Sequence, residues 1–260
     1  MITIKTDHEI SKMRDAGKIA AEVLQLGGSL VKPGVSTKEI DDQIYKFIKK
    51  HNAVPSFLNY YGYPASACIS INEEVIHGIP SGKRVIADGD IVSIDVGVLL
   101  NGYHADTART FGAGNISEEA KKLIEVTKEC FWKGIAFAVP GKRLGDLGHA
   151  IESHAHANGF SVVEDFVGHG VGTHLHEDPD VPNYGRAGKG LRFEKNMTIA
   201  VEPMINQGVP DVLQLKDGWT VVTKDGKLSA HYENTIAVTD GEPLILTSLW
   251  QFHLLLIFQY

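Results

Sequence analysis

Four acidic residues stand in apolar segments of this chain, where a carboxylate is unusual. They are Asp95 in VSIDVGV, Asp106 in YHADTARTF, Glu202 in IAVEPMI and Glu233 in HYENTIAV. A carboxylate that leaves water needs a cation or a strong hydrogen-bond donor nearby. One such residue alone is more typical of a structural ion pair, but four of them together favour a shared metal site.

A glycine-rich segment adds imidazole groups to these carboxylates. It reads GHGVGTHLHE and contains His169, His174 and His176. Glycine lets backbone and side chains approach closely, and histidine is both a metal ligand and an acid–base group near neutral pH. A single histidine would favour a structural role, whereas three in one loop-like segment favour a functional one.

The types of the candidate ligands restrict the metal. The chain has no HExxH motif and no pair of cysteines at ligand spacing, so a standard single-zinc site is not supported. Four carboxylates and one imidazole favour harder ions such as Mn²⁺ or Fe²⁺, and Co²⁺ is a plausible substitute in vitro.

A predicted hairpin brings the first two carboxylates together. If Asn101-Gly102 forms a two-residue turn, Asp106 lies opposite Gly97, two positions from Asp95 and on the same face. This diagonal relation places the two backbones roughly 7–8 Å apart. Both carboxylates could then converge on the same ions.

Hydrophobic periodicity predicts the elements that position these residues. Helices are expected over residues 7–30, from the capping box of Ser36 and Glu39 onwards, over 117–138 and over 144–158. Strands are expected between about 54 and 112, and a second hairpin is expected at Asp225-Gly226. The second helix is predicted to turn four side chains inward: Ile40, Ile44, Phe47 and Ile48.

The two halves of the sequence repeat at an offset of 107 residues. The repeated pairs are Pro33-Gly34 with Pro140-Gly141, Ile40 with Leu147, Ile44 with Ile151, and Asp95 with Glu202. We interpret this offset as an ancient duplication within a single catalytic domain over 1–248, with halves at about 1–112 and 113–248. Paired helices with hairpin-built sheets predict an α+β fold in which both halves face a common cleft.

Composition excludes several classes of protein. The chain has 260 residues and a formal net charge of −7, so no DNA partner is expected. Its two cysteines, Cys68 and Cys130, favour a reducing compartment, and the first residues lack a signal-peptide pattern; we therefore expect a cytoplasmic protein. We also expect a monomer. The apolar tail at 249–260 is too short for a membrane span, and its role stays open.

Eight segments together resemble the methionine aminopeptidases, specifically the short bacterial type I form. They are HGIP at 77–80, DGDIVSIDV at 88–96, HADTARTF at 104–111, GHGVG at 168–172, HEDP at 176–179, VEPM at 201–204, KDGWT at 216–220 and YENTI at 232–236. They occur in family order, and the resemblance covers about residues 2–247. Only 32 residues separate His169 from Glu202, which leaves no room for the type II insertion.

The resemblance implies a pita-bread fold and a dinuclear metal site. The implied ligands are Asp95, Asp106, His169, Glu202 and Glu233. Asp106 and Glu233 would bridge two divalent ions, Asp95 would bind one of them, and His169 with Glu202 would bind the other. The implied ions are Fe²⁺ or Mn²⁺ in the cell, with Co²⁺ or Zn²⁺ as alternatives.

The resemblance also implies an activity and the residues that serve it. Such enzymes remove the initiator methionine of nascent polypeptides when the second residue is small; a contact with the ribosome stays open. Glu202 would accept the proton of the attacking water and deliver it to the leaving amine. His77 and His176 would contact the scissile amide. The methionine pocket would be lined by Tyr60, Tyr63, Cys68 and Trp219. Taken without the resemblance, these four would be read as core residues.

Three residues depart from the family pattern. Leu175 stands where phenylalanine is usual, His174 where a small residue is expected, and Phe57 where a smaller residue is common. These departures leave the implied ligands intact and concern the shape of the pocket.

Two rival functions remain. A prolidase or aminopeptidase P would share the fold but usually carries a further N-terminal domain. An inactive relative that only binds peptides would be expected to lose ligands, and all five positions are filled here.

Overall fold

In a computed structural model, which describes residues 2–249, four helices form two consecutive pairs. They are α1 (Asp7–Ser29), α2 (Thr37–Lys50), α3 (Glu118–Ile135) and α4 (Leu144–Ala157). All four were predicted, and the ends of α1, α3 and α4 differ from the prediction by at most three residues. The predicted tail lies outside the described residues apart from Leu249.

The capping box that starts α2 is confirmed. The Ser36 hydroxyl accepts from the Glu39 amide at 3.3 Å, and the Glu39 carboxylate accepts from the Ser36 amide at 2.8 Å. The three isoleucines of this helix are buried as predicted. Phe47 is only half-buried, because its ring packs on His51 at the edge of the helix.

Fifteen short strands complete the described part of the chain. They are β1 (Val54–Pro55), β2 (Cys68–Ile71), β3 (Glu74–Ile76), β4 (Ile91–Leu100), β5 (Tyr103–Gly112), β6 (Ser161–Val162), β7 (Gly168–Gly170), β8 (Glu177–Val181), β9 (Thr198–Val201), β10 (Met204–Asn206), β11 (Val212–Gln214), β12 (Val221–Thr223), β13 (Ser229–His231), β14 (Glu233–Ala237) and β15 (Leu244–Ile245). A one-turn 3₁₀ helix occupies Tyr60–Gly62.

Nine of these strands form one antiparallel sheet. Its order is β1-β4-β5-β14-β9-β7-β8, with β2 added to β4 and β15 added to β14. The first half of the chain supplies β1, β2, β4 and β5, and the second half supplies the rest. We call the junction of β5 and β14 the seam; it is formed by only two register pairs, Glu233 with Ala108 and Asn234 with Thr107.

One predicted hairpin is confirmed and the other is wrong. The pairs Leu100 with Tyr103 and Gly97 with Asp106 have the predicted register. At Asp225-Gly226 a turn does form, but the strands on either side enter different sheets. Strand β12 already pairs on both sides, with β11 and β3, so β13 pairs with β10 instead.

The two halves repeat their backbone contacts at the predicted offset. An isolated bridge joins Ser36 to Val85 in the first half and Arg143 to Arg192 in the second, each residue 107 positions after its counterpart. Other backbone hydrogen bonds of the first half also recur at this spacing in the second. The halves are therefore pseudo-symmetric, and the α+β class is confirmed.

Each pair of helices covers its own part of the sheet. Helices α1 and α2 bury an aliphatic core against β2 and β4, and α3 and α4 bury another against β9 and β14. The opposite face of the sheet is left free to form a cleft. Within residues 2–249, no helix has the length and apolar character needed to cross a bilayer.

Candidate metal centre

Five neighbouring strands each supply one of the predicted ligands. Asp95 lies on β4, Asp106 on β5, Glu233 on β14 and His169 on β7, and Glu202 directly follows β9. These strands are consecutive in the sheet. The sequence places these residues up to 138 positions apart, and the sheet brings them into one row.

Strand register aligns three of the carboxylates. Ala108 is paired with Asp95 on one side and with Glu233 on the other, and Asp106 lies two positions away on the same strand. Directly opposed residues and those two apart point to the same face of a sheet. The small side chain of Ala108 thus lies between two acids and leaves space for their carboxyl groups on this face of the sheet.

The side chains converge as this register requires. One ligand atom each from Asp106, His169 and Glu233 lies within 4.8 Å of the other two. The Nε2 atom of His169 is 3.9 Å from Oδ2 of Asp106 and 3.7 Å from Oε1 of Glu202. Asp95 adjoins the Asp106 carboxyl group.

A backbone contact fixes the tautomer of His169. Its Nδ1 donates to the carbonyl of Gly170 at 2.8 Å, because a carbonyl can only accept. The lone pair is therefore on Nε2, which faces the acids. Burial lowers the pKa of His169 to about 3, so the ring is neutral and able to bind a metal.

Ionising these buried carboxyl groups without a nearby cation costs free energy. Burial raises the pKa of Asp106 to about 7, and burial together with neighbouring carboxylates raises the pKa values of Asp95 and Glu233 well above their usual range. One oxygen of each of these three side chains is buried without a hydrogen-bond partner. Unpartnered buried oxygens and a neutral imidazole fit a divalent cation.

Two further histidines flank this cluster at the mouth of a cavity. The ring of His176 lies 4.1 Å from that of His169, and its Nδ1 is 2.8 Å from the hydroxyl of Tyr60. His77 has a left-handed backbone with φ of 59° and packs edge-on against Phe166. Burial lowers the pKa of both histidines, for His77 to about 4.

The predicted pocket residues line the apolar side of the same cavity. Tyr63 donates to the carbonyls of Ala67 and Gly78, and Trp219 packs edge-on against its ring at 5.0 Å. Cys68 is paired with Asp95 across β2 and β4. Burial raises the pKa of the Cys68 thiol well above its usual value, so it is a neutral pocket wall rather than a nucleophile.

The three residues that depart from the family pattern do not all lie at the cavity. Phe57 and Leu175 are both buried and line the cavity, whereas the His174 side chain is exposed and does not. The ring of Phe57 lies against Gly97, where an added Cβ would be 2.7 Å from the Phe57 Cε1 atom. The glycine therefore makes room for the larger side chain at position 57.

Sequence reasoning missed three residues that also line the cavity, namely Ile76, Phe166 and Val167. Each adjoins a motif that was recognised, because Ile76 precedes HGIP and the other two precede GHGVG. The sequence pattern alone cannot distinguish an apolar side chain that lines a cavity from one in the hydrophobic core. The only sequence clue to these three residues is that each lies next to a motif with chemically active side chains.

A row of acids with one imidazole beside an apolar cavity is typical of a metalloenzyme, and comparison with known proteins specifies the class. The model of metallopeptidase family M24 matches residues 11–240. This match covers most of the chain, which therefore belongs to family M24.

Within this family the chain belongs with the methionine aminopeptidases. It is 57% identical over 247 residues to the methionine aminopeptidase of Clostridium perfringens, covering 95% of this chain and 99% of that one. The crystal structure of methionine aminopeptidase from Rickettsia prowazekii superposes with a TM-score of 0.94 at 47% identity, covering 95% of this chain and 100% of that one. The predicted family is confirmed.

The pita-bread fold is confirmed by a broader likeness. A prolidase from Pyrococcus furiosus superposes with a TM-score of 0.75 at 25% identity. The match covers 95% of this chain but 66% of that one, so the rival has a substantial segment that this chain does not match.

Proposed function

We propose that the chain removes the N-terminal methionine of nascent polypeptides and peptides in the cytoplasm, with a preference for a small second residue. The observation that carries the proposal is the convergence of four acids and His169 beside an apolar cavity. Such a cavity suits a thioether side chain. Two divalent ions, with Fe²⁺ or Mn²⁺ favoured in the cell, fit the oxygen-rich ligand set. A monomeric state is part of the proposal, and contact with the ribosome is not required.

The positions of the residues in the sheet support the proposed ligand roles. Asp106 and Glu233 lie on opposite sides of the seam and would both hold the ions. Asp95 would bind on the β4 side, and His169 with Glu202 on the β7 side. When bound, the ions lower the pKa of water enough to supply hydroxide near neutral pH.

Three side chains would perform the proton and charge movements of the reaction. The Glu202 carboxylate would accept the proton of the attacking water and deliver it to the leaving amine. With its Nδ1 accepting from the Tyr60 hydroxyl, His176 would donate a hydrogen bond from Nε2 to the developing oxyanion. His77 would orient the amide nitrogen from the other side of the cavity.

Release of methionine from short peptides tests the proposal. Met-Gly and Met-Leu tripeptides should be compared with and without added Mn²⁺, Fe²⁺ or Co²⁺. We expect metal-dependent cleavage that is faster for Met-Gly. Cleavage restricted to X-Pro bonds would support a prolidase instead, and no release with any of the ions would support an inactive peptide-binding protein.

Phe57 is expected to set the width of the side-chain pocket. The variant Phe57→Ala removes a buried ring from the cavity wall, so first residues longer than methionine should enter more easily. A single methylene in an apolar pocket is worth about 10- to 200-fold in discrimination. We expect the preference for methionine over ethionine, measured as a ratio of kcat/KM values, to fall about tenfold.

An aromatic residue far from the cavity provides the control. Tyr45 lies on α2 and is 41% exposed, so Tyr45→Ala should leave the preference for methionine unchanged. An unchanged preference in Phe57→Ala would show that another wall limits the pocket.

A further inference from the structure

The seam is a short junction of the large sheet, and it joins the two strands that carry Asp106 and Glu233. Only two register pairs join β5 to β14, whereas ten join β4 to β5. Asp106 belongs to one side of the seam and Glu233 to the other. The separation of these two acids therefore depends on contacts across a short ladder.

A threonine side chain extends the ladder where the backbone pairing stops. The next register position would pair Thr235 with Asp106, and no backbone pair forms there. Instead, the Thr235 hydroxyl accepts from the Asp106 amide at 2.9 Å and donates to the Asp106 carbonyl at 2.9 Å. One buried hydroxyl thus satisfies both backbone groups of a proposed ligand.

Glu233, on the other side of the seam, is contacted in turn by side chains of β5. The Thr107 hydroxyl donates to the Glu233 carbonyl at 2.8 Å, and the Arg109 guanidinium donates to the same carbonyl. The guanidinium also donates to the Asn234 side chain at 2.8 Å and lies over the ring of Tyr232. Each proposed bridging acid is therefore fixed by side chains of the opposite half.

A physical reason for these side-chain hydrogen bonds is the charge that the two acids would carry with metal bound. A bound cation favours the ionised form of both carboxylates, and two buried like charges repel each other across the seam. Metal ligands must hold their distances within about 0.2 Å, which a loose junction cannot ensure. Side-chain hydrogen bonds across the seam oppose both effects.

We propose that Thr235 is a positioning residue that sets the spacing of Asp106 and Glu233 across the seam. This inference rests on the proposed metal site, to which it adds a residue that touches neither the ions nor the substrate. Arg109 supports the same spacing from the opposite strand.

The test compares Thr235→Val with Thr235→Ser. Valine keeps the branched shape and removes the hydroxyl, while serine keeps the hydroxyl. Loss of a partner that orients metal ligands typically costs about 10- to 100-fold in affinity. By isothermal titration of the metal-free protein with Mn²⁺ alone, we expect Thr235→Val to bind at least about tenfold more weakly. Thr235→Ser should remain close to the unaltered protein.

A second threonine controls for the loss of a buried hydroxyl. Thr127 is buried in α3, and its hydroxyl donates to the Leu123 carbonyl at 2.7 Å. Thr127→Val should leave Mn²⁺ affinity unchanged. In kinetic assays, Thr235→Val should lower kcat at saturating Mn²⁺ with little change in KM, because the apolar pocket is unaltered.

The possible outcomes separate this inference from the proposed function. Normal Mn²⁺ affinity in Thr235→Val overturns the role of Thr235 and leaves the aminopeptidase activity intact. Equal losses in the valine and serine variants also overturn it, because the hydroxyl would then not matter. Failure of the unaltered protein to bind Mn²⁺ or release methionine would instead overturn the proposed function.

A second substitution keeps the test decisive if Thr235→Val does not fold. Arg109→Lys retains the positive charge but cannot donate to a carbonyl and an amide in the same fork-like geometry. It should weaken Mn²⁺ binding by about tenfold. Unchanged Mn²⁺ binding in a folded Arg109→Lys protein would contradict the inference that side-chain hydrogen bonds across the seam set the spacing of the two acids.

Discussion

Asp106→Asn is expected to lower the rate of methionine release by about 10³-fold or more. The substitution removes a charged oxygen from the centre of the ligand row, where Asp106 would hold the ions. The effect of a bound ion on the barrier is worth several kcal/mol, and each ~1.4 kcal/mol is tenfold in rate. The measurement is kcat/KM with a Met-Gly peptide at increasing Mn²⁺.

The same variant should not destabilise the metal-free protein. The pKa of Asp106 is raised to about 7 by burial, so ionisation of this group costs the metal-free fold stability as the pH rises from about 4 to about 7. Asparagine has no such cost. At pH 8 with a chelator, Asp106→Asn should melt at or above the temperature of the unaltered protein.

The response to metal distinguishes a ligand from a merely structural acid. Added Mn²⁺ should raise the melting temperature of the unaltered protein but not that of Asp106→Asn. The control is Asp42→Asn on α2, an exposed position where both activity and the response to Mn²⁺ should persist. An Asp106→Asn protein that keeps full activity would contradict the proposed ligand row.

His176→Ala should reduce turnover by about 10²–10³-fold with little loss of stability. That range is typical when one donor to an oxyanion is lost. The side chain lies at the mouth of the cavity and hydrogen-bonds Tyr60, so removing it disturbs little packing. The measurements are kcat with a Met-Gly peptide and the thermal midpoint of unfolding.

Two variants refine this expectation. His174→Ala removes a neighbouring histidine whose side chain is exposed, and its rate should change less than about twofold, as for surface substitutions in general. Tyr60→Phe removes the group that holds Nδ1 of His176, so its rate should lie between those of His176→Ala and the unaltered protein. A His176→Ala rate close to that of the unaltered protein would remove His176 from the mechanism.

Local sequence patterns predicted the helices and the relation between Asp95 and Asp106. The capping box of Ser36 and the two-residue turn at Asn101-Gly102 act over a few residues, and their geometry is nearly independent of the rest of the fold. For that reason the register of β4 with β5 follows from the position of the turn.

The convergence of the other ligands could not be derived from local patterns. Glu233 meets Asp106 because β14 pairs with β5 across the seam, and no turn or periodicity specifies that pairing. Residue types suggested that an imidazole of the glycine-rich segment joins these acids, and the resemblance to a family identified it as His169. The repeat at 107 residues indicated that Asp95 and Glu202 occupy equivalent strand ends, but not which strands would lie between them.

The incorrect hairpin has the same cause. Asp225-Gly226 carries the local signal of a hairpin turn, and the turn is present. Whether the flanking strands pair depends on competing partners elsewhere. Strand β12 is enclosed by β3 and β11, and those contacts lie far from the turn in sequence.

The pairing of Cys68 with Asp95 has a consequence for how the proposed site would align a substrate. The residue proposed to receive the first side chain and the acid proposed to bind an ion are held at a fixed spacing by one backbone ladder. A chain end that fills the proposed pocket would thereby be aligned with the metal centre. The selection of a single terminal residue would in this sense be a property of the sheet itself.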